Sequence, residues 1–97
     1  MILKILYYFF LTYDIQRMKK PFYYNFITIT TLDISNKELT ELPSWISTLI
    51  NLKKLYCFFN KITHLDNLPQ TLEILSCYFN YTMQLDNLPT SLKELYC

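Results

Sequence analysis

Hydrophobic positions recur at a fixed interval along the second part of the chain. The segment LYCFFNKITHLDNLP, which begins at Leu55, is followed 20 residues later by LSCYFNYTMQLDNLP, which begins at Leu75. A third copy starts as LYC at Leu95 and reaches Cys97. Such a repeat is typical of chains that stack small structural units, because one unit is too short to bury its own apolar face.

Each unit follows the pattern L-x-x-L-x-(L/I/C)-x-x-N-x-(I/L)-x-x-L. Alternation at its centre predicts a short strand with Leu55 and Cys57 pointing inward and Tyr56 pointing outward. Stacking pairs such strands in parallel, and the last strand, around Leu95, should pair with the preceding unit. The other predicted parallel strands are residues 31–35, 54–58 and 74–78.

This pattern resembles the leucine-rich repeat family, whose motif is L-x-x-L-x-L-x-x-N/C-x-L. The resemblance covers residues 29–97, and the short units with Cys at the sixth position are similar to those of giant-virus leucine-rich repeat proteins. It implies a leucine-rich repeat solenoid with a short parallel β-sheet on the concave face. The convex face would hold loops and at most one short helical turn, in LPSWISTLINL. The fullest copy supplies Leu52, Leu55, Cys57, Asn60, Ile62, Leu65 and Leu68.

The composition bears on source and partner. Gly, Ala and Val are all missing, whereas Ile, Leu, Asn, Lys, Tyr and Phe abound. Codons for the missing residues begin with G, so this bias indicates an A/T-rich genome, as in some amoebae, parasites and large DNA viruses. The formal net charge of +1 gives no basic footprint for nucleic acid.

Two asparagines lie where the chain leaves the predicted strands. We expect Asn60 and Asn80 to point inward and to satisfy backbone groups that the turn would otherwise leave unpaired. Two positions depart from the pattern. Lys37 takes the Asn position of the first unit, and Thr82 stands where other units have an apolar residue. Both departures predict looser local packing.

The three cysteines should form one column in the stack. We interpret Cys57, Cys77 and Cys97 as small buried core residues that stay free and reduced. The chain has no C-x-x-C pair, and zinc would need a fourth ligand on the same side. No metal or other cofactor is therefore predicted. Reduced thiols favour an intracellular location. The expected compartment is the cytoplasm, which for a viral protein would be the cytoplasm of the host cell.

No constellation of residues indicates catalysis. His64 is the only histidine, and the pattern places it on the convex side without an acid or nucleophile beside it. Trp45 is better explained by packing on the first unit's outer turn than as a binding anchor. We expect no enzyme activity.

The outward residues of the strands are the candidate binding site. Exposed aromatic side chains on neighbouring strands commonly mark a protein-contact surface. For Phe59 and Phe79, which adjoin the Asn turns, an alternative is that they tuck partly under the adjacent unit. Lys53, Glu73 and Lys93 should form a modest charge ladder. The predicted partner-binding residues are Tyr56, Phe58, Phe59, Tyr78, Phe79 and Tyr96.

Residues 1–28 fit no repeat. We interpret this hydrophobic flank as a cap on the first unit, whose inward face needs a cover. A signal peptide is an alternative, although no Ala or Gly follows for cleavage. Another alternative is that the protein begins at Met18. The apolar stretch is shorter than the ~20 residues that a membrane span needs.

Two functional hypotheses compete. The first is a non-enzymatic module that binds a protein partner through the concave aromatic face. The second is a truncated fragment of an expanded leucine-rich repeat family, with little activity of its own. Leu92, Leu95 and Cys97 repeat the inward pattern with no unit after them, which predicts self-association through the C-terminal edge.

Overall fold

The computed structural model of the protein describes residues 29–81 and 84–97. A parallel sheet of four short strands organises these residues, and its spatial order follows the sequence. The predictions for residues 1–28 and for Thr82 lie outside the described residues. The strands are β1 (Thr31–Asp33), β2 (Lys54–Tyr56), β3 (Ile74–Ser76) and β4 (Glu94–Tyr96).

One leucine from each strand sets the register. Leu32 pairs with Leu55, Leu55 with Leu75, and Leu75 with Leu95. The predicted parallel strands are therefore confirmed, although each ends two residues earlier than expected. Backbone hydrogen bonds still continue beyond β2, since the Cys57 N–H donates to the next strand at 2.8 Å.

The single helical element among the described residues is a 3₁₀ helix, Ser44–Thr48. It lies in the first unit, where the sequence predicted room for one helical turn. Trp45 and Ile46 face inward from it and are buried, so the packing role predicted for Trp45 is confirmed. None of the described residues belongs to a helix long and apolar enough to cross a bilayer.

The core is a stack of aliphatic side chains behind the sheet. Leu52, Leu55, Leu72 and Leu75 are fully buried, as the inward positions of the pattern predict. Burial of this kind is worth roughly 1.5–3 kcal/mol for each large aliphatic side chain. The register of the sheet and the burial of the leucines therefore support each other.

Burial decreases at the last strand. Leu95 was predicted to point into the core, yet 37% of it is exposed, whereas Leu75 in the preceding strand is fully buried. β4 lies at one edge of the sheet, with β3 as its neighbour. Leu92 is partly buried against the core, and Leu85 is largely exposed.

The predicted burial is confirmed for Cys57 and Cys77, whereas the prediction that all three thiols stay free is correct only for Cys57. Cys57 is free and buried. Cys77 and Cys97 form a disulfide, because the register β3–β4 places them side by side with their Cα atoms 4.7 Å apart. That separation lies in the range a disulfide requires. Cys97 is also exposed, so the cysteines no longer argue for a reducing compartment.

Candidate functional site

Asn60 fixes the turn that follows β2, as the sequence predicted. Its Oδ1 accepts hydrogen bonds from the Lys37 and Leu39 N–H groups, both at 3.0 Å. Its Nδ2 donates to the carbonyls of Ile34 at 3.0 Å and Cys57 at 3.1 Å. One nearly buried side chain therefore satisfies backbone groups of its own unit and of the preceding one.

Asn80 repeats this arrangement one unit later. Its Oδ1 accepts from the Ile62 N–H at 3.0 Å, and its Nδ2 donates to the carbonyls of Cys57 at 2.9 Å and Cys77 at 3.0 Å. The two asparagines hold successive turns in the same geometry. This common geometry positions the residue that precedes each asparagine.

In each of the first three units, the residue just before the asparagine position of the repeat adopts a left-handed backbone conformation. Asn36, Phe59 and Phe79 occupy equivalent positions and have φ values of 58°, 55° and 55°. Asparagine tolerates this conformation, but it is unusual for a bulky residue and costs roughly 1–2 kcal/mol. The left-handed turn directs the phenylalanine rings away from the core.

Phe59 and Phe79 stack on each other outside the core. Their ring centroids lie 4.5 Å apart and their planes differ by 5°. The alternative that they tuck partly under the adjacent unit is wrong for Phe79, which is 69% exposed, whereas Phe59 is 51% exposed and is covered on one side by the Phe79 ring of the adjacent unit. Stacking contributes about 0.5–1.5 kcal/mol and offsets part of the backbone cost.

The stacked pair is the middle of a continuous chain of six rings, which we call the aromatic arc. Neighbouring centroids along the arc are 5.9, 6.3, 4.5, 6.3 and 6.2 Å apart. The structure thus brings together every residue that the sequence predicted for partner binding. In the order of contact, the arc consists of Tyr56, Phe58, Phe59, Phe79, Tyr78 and Tyr96.

A small residue lies between the two ends of the arc. Ser76 pairs with Tyr56 on one side and with Tyr96 on the other. The alternation of the repeat predicts an outward position for Ser76, as for Tyr56, yet only 5% of it is exposed. Its burial was missed, because it depends on the large rings on the adjacent strands. The signal in the sequence is a serine at a position where the neighbouring units carry tyrosine.

Two carboxylates accompany the tyrosines at the ends of the arc. Asp33 is exposed and pairs in register with Tyr56. The Tyr96 hydroxyl donates to Glu94 Oε1 at 2.8 Å. This hydrogen bond, together with the negative charge of Glu94, raises the pKa of Tyr96 above its ordinary value. The Tyr96 hydroxyl therefore keeps its proton near pH 7 and remains a hydrogen-bond donor.

The predicted charge ladder is confirmed. Glu73 forms ion pairs at 3.7 Å with both Lys53 and Lys93. All three side chains are substantially exposed, so each pair is worth no more than about 1 kcal/mol. The ladder supports the register of the units and offers no paired carboxylates for catalysis.

The loops opposite the sheet hold a polar cleft of about 300 Å³. His64 lines it and is exposed, and its Nδ1 shares a hydrogen bond with Thr63 Oγ1 at 2.8 Å. Glu41 and Asp66 line the same cleft. The residues that the structure describes contain no group of three His, Cys, Asp or Glu side chains arranged to hold a metal ion.

Comparison of the chain with protein-family models, with curated proteins and with solved structures found no match.

Proposed function

We propose that the protein is a leucine-rich repeat module that binds a protein partner through the aromatic arc on its concave face and catalyses no reaction. The observation that carries this proposal is the exposure of contiguous rings. Phe59, Phe79, Tyr78 and Tyr96 are each more than 40% exposed while contacting one another. Tyr and Phe are enriched at protein interfaces and often dominate their binding energy.

The repeat interpretation is supported by two features that recur from unit to unit. Inward leucines share one register across the four strands. Asn60 and Asn80 make equivalent side-chain bonds that link each unit to the one before it. Stacked repeats with nearest-neighbour contacts are how solenoid proteins build extended binding surfaces.

The phenylalanines at the left-handed positions support a binding role. The first unit has Asn36 at this position, a residue that adopts the conformation at little cost. Phe59 and Phe79 accept the backbone cost and leave most of their rings in water. Folding does not require phenylalanine there, whereas a contact surface for a partner benefits from it.

The experiment is affinity capture from cells with the wild-type chain and with a Phe59→Asn/Phe79→Asn variant, followed by mass spectrometry. The substitutions copy Asn36, so the variant should keep its fold and its stability to within about 1 kcal/mol. We expect a partner that the wild type retains and the variant loses. A variant that folds and captures the same proteins in the same amounts would refute the binding role of the arc.

Self-association through β4 is a second candidate activity of this 97-residue chain. Leu85 and Leu95 are 46% and 37% exposed near the edge strand β4, and unpaired strand edges are templates for pairing with another chain. Sedimentation over a concentration series, beside a Leu92→Gln/Leu95→Gln variant, tests it. We expect the wild type to associate and the variant to stay monomeric. A wild type that remains monomeric at high concentration excludes this candidate.

A further inference from the structure

The segment that leads into β4 is anchored in the core, whereas β4 itself is held less firmly. Leu92 packs against the core, and the Ser91 hydroxyl donates to the Leu72 carbonyl at 2.6 Å. Every residue of β4 is exposed, and Leu95 is 37% exposed where the leucines of the earlier strands are buried. Burial of apolar surface therefore contributes less to holding β4 in place than it does for the strands before it.

Backbone hydrogen bonds, an ion pair and a disulfide fasten β4 to β3. The Lys93 N–H donates to the Glu73 carbonyl at 2.8 Å, and the Cys77 N–H donates to the Tyr96 carbonyl at 2.7 Å. The ion pair between Lys93 and Glu73 is exposed and stabilises little in water. The covalent link is the disulfide between Cys77 and Cys97. A short edge strand with exposed hydrogen bonds opens readily, so the disulfide decides whether β4 stays docked.

The disulfide is accessible from solvent on the side of Cys97. Cys97 is exposed, whereas Cys77 is only 3% exposed. A cavity of about 230 Å³ is lined by both cysteines and by uncharged side chains, among them Phe79 and Asn80. A small thiolate that enters this cavity meets the disulfide from the solvent side. The remaining cysteine, Cys57, is fully buried and takes no part in this exchange.

We propose that the Cys77–Cys97 disulfide is a thiol-exchange site, and that its reduction by a small thiol compound releases β4 and removes Tyr96 from the aromatic arc. In the first step the thiolate attacks the Cys97 sulfur and forms a mixed disulfide with it. The Cys77–Cys97 bond breaks, and its electron pair goes to the Cys77 sulfur, which takes a proton from water. A second thiolate attacks the small-thiol sulfur of the mixed disulfide. The small thiol is thereby oxidised to its own disulfide, and Cys97 leaves as a thiolate that water protonates.

Release of β4 shortens the aromatic arc at one end. Tyr96 joins the arc through Tyr78, whose ring centroid lies 6.2 Å from its own. The contact between Phe59 and Phe79 does not involve β4, so the reduced chain keeps the rest of the arc. A partner that contacts the whole arc binds the oxidised chain more tightly than the reduced chain. This consequence rests on the proposed function, whereas the exchange itself does not.

The test is amide hydrogen exchange of the full chain, followed by NMR with and without dithiothreitol. Two equivalent amides form a matched pair, because the Cys77 N–H donates to β4 at 2.7 Å and the Cys57 N–H donates to β3 at 2.8 Å. Reduction should speed exchange of the Cys77 amide about tenfold or more and leave exchange of the Cys57 amide unchanged. The NMR signals of the Tyr96 ring should shift on reduction, while those of the Phe58 ring stay in place.

A variant and a second thiol complete the experiment. Cys97→Ser lacks the disulfide, so exchange of its Cys77 amide should be fast with and without dithiothreitol. Brief treatment of the wild type with reduced glutathione, followed by mass spectrometry, should place the mixed disulfide on Cys97.

Four results would each overturn the proposal. They are a wild-type chain that lacks the disulfide, a disulfide that dithiothreitol does not reduce in the folded chain, unchanged exchange of the Cys77 amide after full reduction, and equal acceleration at Cys57 and Cys77. A glutathione adduct on Cys77 instead of Cys97 would contradict the assigned point of attack. None of these results bears on capture of a partner by the aromatic arc, which the Phe59→Asn/Phe79→Asn variant tests separately.

Discussion

The rings of Phe59 and Phe79 stack at 4.5 Å although both residues have a left-handed backbone. Phe59 and Phe79 each follow their own strand by the same number of residues, and the two strands pair in register. The two left-handed residues therefore lie side by side, and their rings come into contact. The stack is thus a consequence of the repeat. It also joins the two halves of the aromatic arc.

The first prediction concerns the balance between strain and stacking. Phe59→Asn should change the free energy of unfolding by less than about 1 kcal/mol, since relief of backbone strain offsets the lost stack. Leu55→Ala, at a fully buried position of the same unit, should cost about 2–5 kcal/mol. Urea unfolding of both variants measures the contrast. A cost for Phe59→Asn as large as that for Leu55→Ala would contradict this account of the stack.

The second prediction compares the two asparagines. Asn60→Ala leaves the Leu39 N–H and the Ile34 carbonyl without their partner, and each orphaned buried group costs about 1–3 kcal/mol. Asn80 is less buried, and water can replace more of its bonds, so Asn80→Ala should cost less. Thermal or urea unfolding of the two variants should rank them in this order. The reverse order would refute the idea that burial sets the value of these bonds.

The register was predictable from the sequence, and the surface was predictable only in part. The period of Leu55, Leu75 and Leu95 requires parallel neighbours, whatever the details of the turns. The exposure of Phe59 was left open, because it depends on a left-handed backbone that a bulky residue seldom adopts. The burial of Ser76 depends on rings from other units, and the sequence pattern of one unit gives no information about such contacts.

The cysteines show why residue type alone was insufficient. All three cysteines were interpreted as buried core residues with free thiols. The burial is correct for Cys57 and Cys77, but only Cys57 is free. Cys97 follows the edge strand β4 and is exposed, and the register sets it next to Cys77. Position in the stack, rather than the repeat pattern, decides which cysteine is paired.

The third prediction concerns that disulfide. The bond closes a loop of 20 residues and ties β4 to β3, which should stabilise the chain by about 3 kcal/mol in the chain-entropy description. Cys97→Ser should speed amide hydrogen exchange in β4 and leave exchange in β1 unchanged. Equal exchange in both proteins would contradict a bond that fastens the last strand. Mass spectrometry with alkylation, before and after reduction, checks that the bond is present in the starting protein.

The fourth prediction is a pH dependence that Cys57 carries. Burial, and then the negative charge of Asp33, raise the pKa of the Cys57 thiol from 9.0 to about 12. The unfolded chain releases this proton near pH 9, while the folded chain retains it. The buried Cys57 thiol therefore makes its full contribution to the free energy of unfolding below about pH 9, and this contribution is lost as the pH rises toward 12.

Cys57→Ala removes the titrating group. The free energy of unfolding of this variant should fall less steeply above pH 9 than that of the wild type, whatever its value at neutral pH. Parallel slopes for the two proteins between pH 9 and 11 would show that the thiol is not protected by burial. Slow alkylation of Cys57 in the folded state at pH 8 is the companion observation.

Hydroxyl-radical footprinting of the wild-type chain, alone and with its captured partner, tests the central claim most directly. The account predicts that oxidation of the rings of the aromatic arc, above all Phe59, Phe79 and Tyr78, falls several-fold when the partner is bound. Tyr81 is exposed and is not part of the arc, so its oxidation should stay unchanged as an internal control. Oxidation of the arc that is the same with and without the partner would contradict the claim that this face binds it.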